Sequence, residues 1–161
     1  MSRSETISPA PLIARGVARM LADHGFAALG EFSIGAGWRM DLCALGRSGE
    51  IWCVEIKSSR ADFTADSKWP CYLEWCDRFF FAVAEDFPDE ILPADEGLIR
   101  ADAWGAEILR YGPERRLAPA RRKSLTLAFA RTAATRLRGL IDPPPGGSGR
   151  APGHPHAMPR T

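Results

Sequence analysis

The sequence has no pair of cysteines spaced as CxxC. Its four cysteines, Cys43, Cys53, Cys71 and Cys76, fit neither a zinc ribbon nor a small disulfide scaffold, and point to reduced thiols in a cytoplasmic compartment. No apolar run approaches the roughly 20 residues that a membrane helix needs, and the opening MSRSETISPAPLIARG lacks the apolar centre of a secretory signal. A membrane-bound or exported chain is not expected. Histidine is scarce: His154 and His156 lie near the end and His24 closes a helix-like segment, which gives histidine-dependent catalysis no support. There is no internal repeat, so solenoids and propellers drop out.

What is present suits one soluble domain: 161 residues, 45% of them hydrophobic and 25% charged. The formal net charge of +1 conceals a segregation, since residues 1–109 carry 10 Lys and Arg against 18 Asp and Glu, and residues 110–138 carry nine against one. Such a basic segment either binds a polyanion or folds back onto its own acidic body.

Ser8 and its prolines, followed by Leu12, Ile13, Val17, Met20 and Leu21, predict a capped amphipathic helix ending near His24 and stopped by Gly25. Residues 26–34 lead to the Gly-rich turn GAG. WRMDLCAL (38–45) and IWCVEIK (51–57) are strand candidates joined by the turn GRSGE (46–50). Residues 58–78 look helical, with Pro70 expected to kink or split them. FFFAVA (79–84) has the continuous apolar character of a central strand. After the acidic loop EDFPDEILPADEG come two short segments, 98–101 and 107–111, as edge strands or as a strand and an irregular stretch. Residues 124–140 predict a docked helix with Leu125, Phe129, Ala133, Leu137 and Leu140 inward and Arg131, Thr135 and Arg138 on another face. The expected domain is therefore 1–141, and residues 142–161 are too rich in Pro and Gly to fold.

A tight loop at 46–50 sets Leu45 opposite Ile51, so that paired residue numbers sum to 96 and Asp41 falls opposite Glu55. Period-two alternation then places Arg39, Asp41, Cys43, Cys53, Glu55 and Lys57 on one face, and Met40, Leu42, Trp52, Val54 and Ile56 on the other. Two carboxylates opposed on a ladder need a compensating partner. One reading has Arg39 and Lys57 supply it as an ion-paired strand end. The other has Asp41 and Glu55, with the Ile56 carbonyl, hold Mg²⁺ or a similar hard ion while Lys57 sits beside its water. Asp62 and Asp66 read as a solvated face, Cys43 and Cys53 as packed thiols beneath the acids, and Tyr72 as a cap on the core.

Asp41 followed by Glu55-Ile56-Lys57 resembles the D…(D/E)xK signature of the PD-(D/E)XK nuclease superfamily, with Met40 where the signature has proline. The segments RMDLCAL, IWCVEIKSSRADFTADSKWPCY, CDRFFFAVA and ILPADEGLIRADAWGAEILR resemble more closely the MmcB-related bacterial DNA repair proteins, a branch of that superfamily, over residues 10–140. The resemblance implies a restriction-endonuclease-like α/β fold, a central mixed β-sheet flanked by helices in αβββαβ order. It implies Asp41 and Glu55 as acids for Mg²⁺ or Mn²⁺, an added carboxylate for which Glu31 is the candidate, and Lys57 as the residue that orients the attacking water. Lys68 and Tyr72 stand where related nucleases place a substrate-contacting Gln and Tyr. DNA is the implied partner, with Arg115, Arg116, Arg121, Arg122, Lys123 and Arg131 spaced for phosphate rather than base contact. The expected activity is metal-dependent DNA hydrolysis in repair; the alternative is a non-catalytic module of the same fold that binds DNA or a repair partner.

Overall fold

The computed structural model describes residues 8–144, so the expected tail lies outside the described residues from 145 onward. Helix α1 (Ala10–Asp23) precedes strands β1 (Ala27–Ser33), β2 (Arg39–Leu45) and β3 (Ile51–Ile56). Two short helices, α2 (Arg60–Ala65) and α3 (Trp69–Tyr72), lead to β4 (Arg78–Val83), followed by β5 (Gly97–Ala101), β6 (Ala106–Arg110) and the long helix α4 (Pro119–Ile141). The strands form one mixed sheet in chain order. The β3–β4 and β4–β5 pairs are parallel and the others antiparallel. The first part of the chain thus has the expected αβββαβ order, with β5, β6 and α4 added to it. Among the described residues no helix is long and apolar enough to cross a membrane.

The sheet is covered on both faces, which is why β3 and β4 are buried almost end to end. On one face α1 packs Ile13, Val17, Met20 and Leu21 onto Leu42, Trp52, Val54, Phe80 and Ile99. Its close approach requires Gly16, since a Cβ there would sit 1.9 Å from the Asp102 carbonyl oxygen. The other face carries Phe32, Met40, Cys43, Cys53, Phe79 and Phe81 beneath Leu125 and Phe129 of α4. The β2–β3 register is the predicted one, from Leu45↔Ile51 through Cys43↔Cys53 to Leu42↔Val54. The turn closes through the Gly46 N–H, which donates to the Glu50 carbonyl at 2.8 Å.

Several expectations change. Residues 27–33 form an edge strand, unassigned from sequence because it is largely exposed and shows no clean alternation. The helical stretch does split, but at residues 66–68. Pro70 falls in the first turn of α3, where its missing N–H is harmless. Met40 lies on the α4 face rather than with Leu42, because the β1–β2 ladder turns over between the Gly30↔Leu42 and Phe32↔Met40 pairs, where Glu31 takes a φ of 48°. The inward face of α4 also differs: Leu125 and Phe129 are buried, whereas Leu137 and Leu140 are 58% and 82% exposed. Successive four-residue steps drift about 40° each around a helix, so the predicted stripe has left the sheet by its third step.

Asp77, which precedes β4, ties the elements together. Its buried carboxylate accepts hydrogen bonds from the Ile51 N–H at 2.8 Å, the Leu117 N–H at 3.0 Å and both terminal nitrogens of Arg122 at 2.7 Å. Burial alone would raise its pKa, but the Arg122 guanidinium and the two N–H groups outweigh that and hold it below the ordinary carboxylate value. A carboxylate depressed in the folded state contributes stability that is complete above its unfolded pKa, about 3.9, and is lost as pH falls through its folded value. Asp77→Ala leaves Arg122 and two N–H groups without their acceptor and should lower stability at pH 7 by about 3–5 kcal/mol in urea unfolding. The deficit should shrink on acidification; a deficit that stays constant to pH 2 would remove Asp77 as the anchor.

Candidate active site

The three signature residues come together at the carboxyl end of β3, in an open cleft of about 770 Å³ between the start of α1 and helix α2. Asp41 and Glu55 meet where the ladder stops. Beyond Leu42↔Val54, side chains replace strand pairing: the Asp41 N–H donates to Glu55 Oε1 at 3.1 Å and the Ile56 N–H donates to Asp41 Oδ2 at 2.8 Å. Each acid is thus oriented by the other's strand. This is the opposition that the register arithmetic predicts.

The cations of the ion-pair reading act on this pair only through their charge and form their salt bridges elsewhere. Arg39 turns outward to Glu31, 3.7 Å away, and Lys57, buried at 4% exposure, forms an ion pair with Asp66 at 2.5 Å. The carboxylates therefore face one another with backbone N–H groups as partners. Burial, followed by the Asp41 charge, pushes the Glu55 carboxyl up to about 8. Burial likewise raises Asp41, against the lowering effects of the Ile56 N–H and the Lys57 charge. Asp66 shows the converse: burial raises it, but bonds from Lys57 Nζ and the Lys68 N–H outweigh that and its pKa falls.

Among the described residues no group of three or more His, Cys, Asp or Glu is arranged to hold a metal ion. Two acids do converge. They suit Mg²⁺ or Mn²⁺ in the mode in which one or two carboxylates bind and water and phosphate oxygens complete the shell. Asp41 and Glu55 would hold such an ion, which would also relieve their mutual repulsion. Glu31 lines the same cleft, but its side chain is 74% exposed and engaged with Arg39.

Lys68 and Tyr72 line a contiguous polar groove of about 470 Å³ with Asp41 and Arg39, so Pro70 does not separate them. Tyr72 is buried and donates its hydroxyl to the Arg39 carbonyl at 2.8 Å; burial and the Glu55 charge push its pKa up. It caps the core and walls the groove at once. Asp62 and Asp66, expected on a solvated face, belong to the cleft's surroundings. Asp62 Oδ2 accepts from the Ser58 N–H at 2.9 Å, and its own N–H bonds Ser59 Oγ at the start of α2. The Ser59-x-x-Asp62 spacing of a capping box is the signal that could have placed Asp62. Nothing comparable announced Asp66. Beneath the acids, Cys43 and Cys53 are free, buried thiols, Cys43 being pushed by burial up to about 12.

The basic segment divides. Arg115 forms a bidentate pair with buried Glu96, Arg122 is bound to Asp77, and Arg121 reaches the Glu74 carbonyl while lying over the Trp75 ring. These three are engaged with the body of the domain. Arg116, Lys123 and Arg131 are exposed.

Because Glu55 is raised when folded, the chain loses stability as pH climbs from about 4.5, the ordinary value, to about 8, and the loss is complete above that. Glu55→Gln keeps the acceptor for the Asp41 N–H and removes the charge. It should match the wild type near pH 4.5 and exceed it at pH 9 by on the order of 2–4 kcal/mol in urea midpoints. Parallel stability curves across that range would show that the acid pair carries no strain.

Comparison with known proteins places the fold in a family. No curated protein matches the sequence. The solved structure of a protein of unknown function from Silicibacter pomeroyi matches with a TM-score of 0.83 at 56% identity, over 89% of this chain and 97% of that one. A family model described as DNA repair protein MmcB-like matches residues 2–144. The mixed sheet flanked by helices is accordingly a restriction-endonuclease-like α/β fold, and the chain belongs to the MmcB-like family of DNA repair proteins, within the PD-(D/E)XK nuclease superfamily.

Proposed function

We propose that this protein is a metal-dependent DNA nuclease that hydrolyses phosphodiester bonds in the cleft formed by Asp41, Glu55 and Lys57. The observation that carries the reading is the acid pair of buried Glu55 and half-buried Asp41, oriented by backbone N–H groups while both neighbouring cations bond to other acids. Crowding two carboxyl groups into one partly desolvated site costs stability, and groups perturbed in this way cluster at functional sites. Bound there, Mg²⁺ or Mn²⁺ would supply charge stabilisation at the phosphate and lower the pKa of water. Asp41 and Glu55 present the oxygen donors, with the Ile56 carbonyl and Glu31 as further candidates. Lys57 Nζ, held by Asp66, orients the attacking water by hydrogen bonding and balances charge on a phosphate oxygen.

Lys68 and Tyr72 line the groove along which the scissile strand enters, and Arg116, Lys123 and Arg131 attract the flanking phosphates. The non-catalytic alternative, a module that binds DNA or a repair partner, draws on the convergence of two acids rather than three.

Cleavage of single-stranded, duplex and branched DNA with Mn²⁺ or Mg²⁺ separates the readings. Glu55→Gln and Lys57→Ala should each reduce cleavage by about 10²-fold or more while DNA binding persists. A wild type that binds but never cuts would favour the module. Lys123→Ala and Arg131→Ala should weaken binding of all sequences alike and reduce the salt slope by about one each; an unchanged slope would move the DNA path off α4.

A further inference from the structure

Arg136 lies farther along the docked side of α4. It stands seven positions after Phe129 and eleven after Leu125, both buried, spacings that return to the same side of a helix. In place of an apolar contact it brings a guanidinium to the edge strand β1, donating from its two terminal nitrogens to the Gly30 carbonyl at 2.5 Å and the Glu31 carbonyl at 2.8 Å. Glu31 is the one non-glycine residue with positive φ among those described, at 48°. That conformation is unfavourable for a side chain with a Cβ and persists only where the surroundings hold it. Here the ladder turns over, skipping Glu31 and Asp41 between the Gly30↔Leu42 and Phe32↔Met40 pairs. Glu31 and Asp41 both line the cleft.

We propose that Arg136 is a positioning residue: its guanidinium holds the left-handed Gly30–Glu31 step, and so sets the Glu31 carboxylate on the cleft rim beside Asp41. The role given to that carboxylate rests on the nuclease reading; the clamp itself does not. Two neighbouring carbonyls in a left-handed step suit the paired donors of a guanidinium, whereas an ammonium spans them less well. A glycine at residue 31 would adopt the same backbone without help.

The test is a double-substitution cycle read by urea unfolding of the full chain. Arg136→Met, which removes the guanidinium but keeps a long unbranched side chain, should raise the unfolding equilibrium constant about tenfold with Glu31 present, and less than about threefold in a Glu31→Gly background. Arg136→Lys should fall between, and it keeps the cycle readable if Arg136→Met does not fold. Equal losses in both backgrounds would overturn the proposal, because an arginine that merely fastens α4 is indifferent to residue 31. Mn²⁺ titration tests the carboxylate: Arg136→Met should weaken binding as much as Glu31→Gln does, with no added loss in the double variant. Additive losses would overturn the positioning role. A wild type that binds no Mn²⁺ would count against the nuclease reading and leave the unfolding cycle to decide the clamp.

Discussion

Two carboxyl groups are held together at the end of β3 by hydrogen bonds that strand pairing would otherwise have used, and the cleft depends on that exchange. In an uninterrupted ladder the Asp41 and Ile56 N–H groups would seek carbonyls across the strand gap. Instead each donates to a side-chain carboxyl oxygen on the opposite strand. The strands can therefore separate at this point without leaving buried N–H groups unpaired. The same bonds lower the pKa of each acid, yet burial prevails and the net shift is upward. The geometry is secure while the charge is not, a combination that favours a cationic partner.

The division of charge along the chain resolves in both of the ways the sequence left open. Acids of the body do draw part of the basic segment back: Glu96 takes Arg115, Asp77 takes Arg122 and Glu74 takes Arg121. Arg116, Lys123 and Arg131 remain exposed. The paired arginines lie near the start of β3, where Asp77 binds Ile51, and the acid pair lies four residues on, about 13 Å away at the usual rise of a strand. Helix α4 spans that distance, so its later residues rather than its first turn approach the cleft.

The central hairpin was legible because two simple rules act there without competition. Loop length fixed the register, and period-two alternation fixed the face from Leu42 to Ile56. Neither rule anticipates a residue such as Glu31, whose positive φ turns the ladder over and sends Met40 to the other core. A left-handed position is readable when glycine or asparagine occupies it, and here glutamate does. Edge strand β1 was illegible for a related reason, since exposure removes the hydrophobic alternation by which strands are read. The second half of α4 misled because its leucines continue past the sheet, and the residue that docks it is an arginine. Asp66 could not be assigned to Lys57 from sequence, as their meeting depends on where α2 ends and the chain turns.

The two ends of β3 do opposite work for stability. At its start, Asp77 collects four hydrogen bonds from β3, the segment before α4 and α4 itself, and its pKa falls. At its end, Glu55 and Asp41 are raised, so their ionisation opposes folding. Both are buried carboxylates in one sheet, and what separates them is the company of a guanidinium. The acid pair, whose ionisation opposes folding, thus sits at the other end of the strand that the Asp77 junction anchors. Acid weakens that junction, whereas alkali leaves it intact and ionises the cleft. The two carboxyl groups thus bias stability in opposite directions as pH changes.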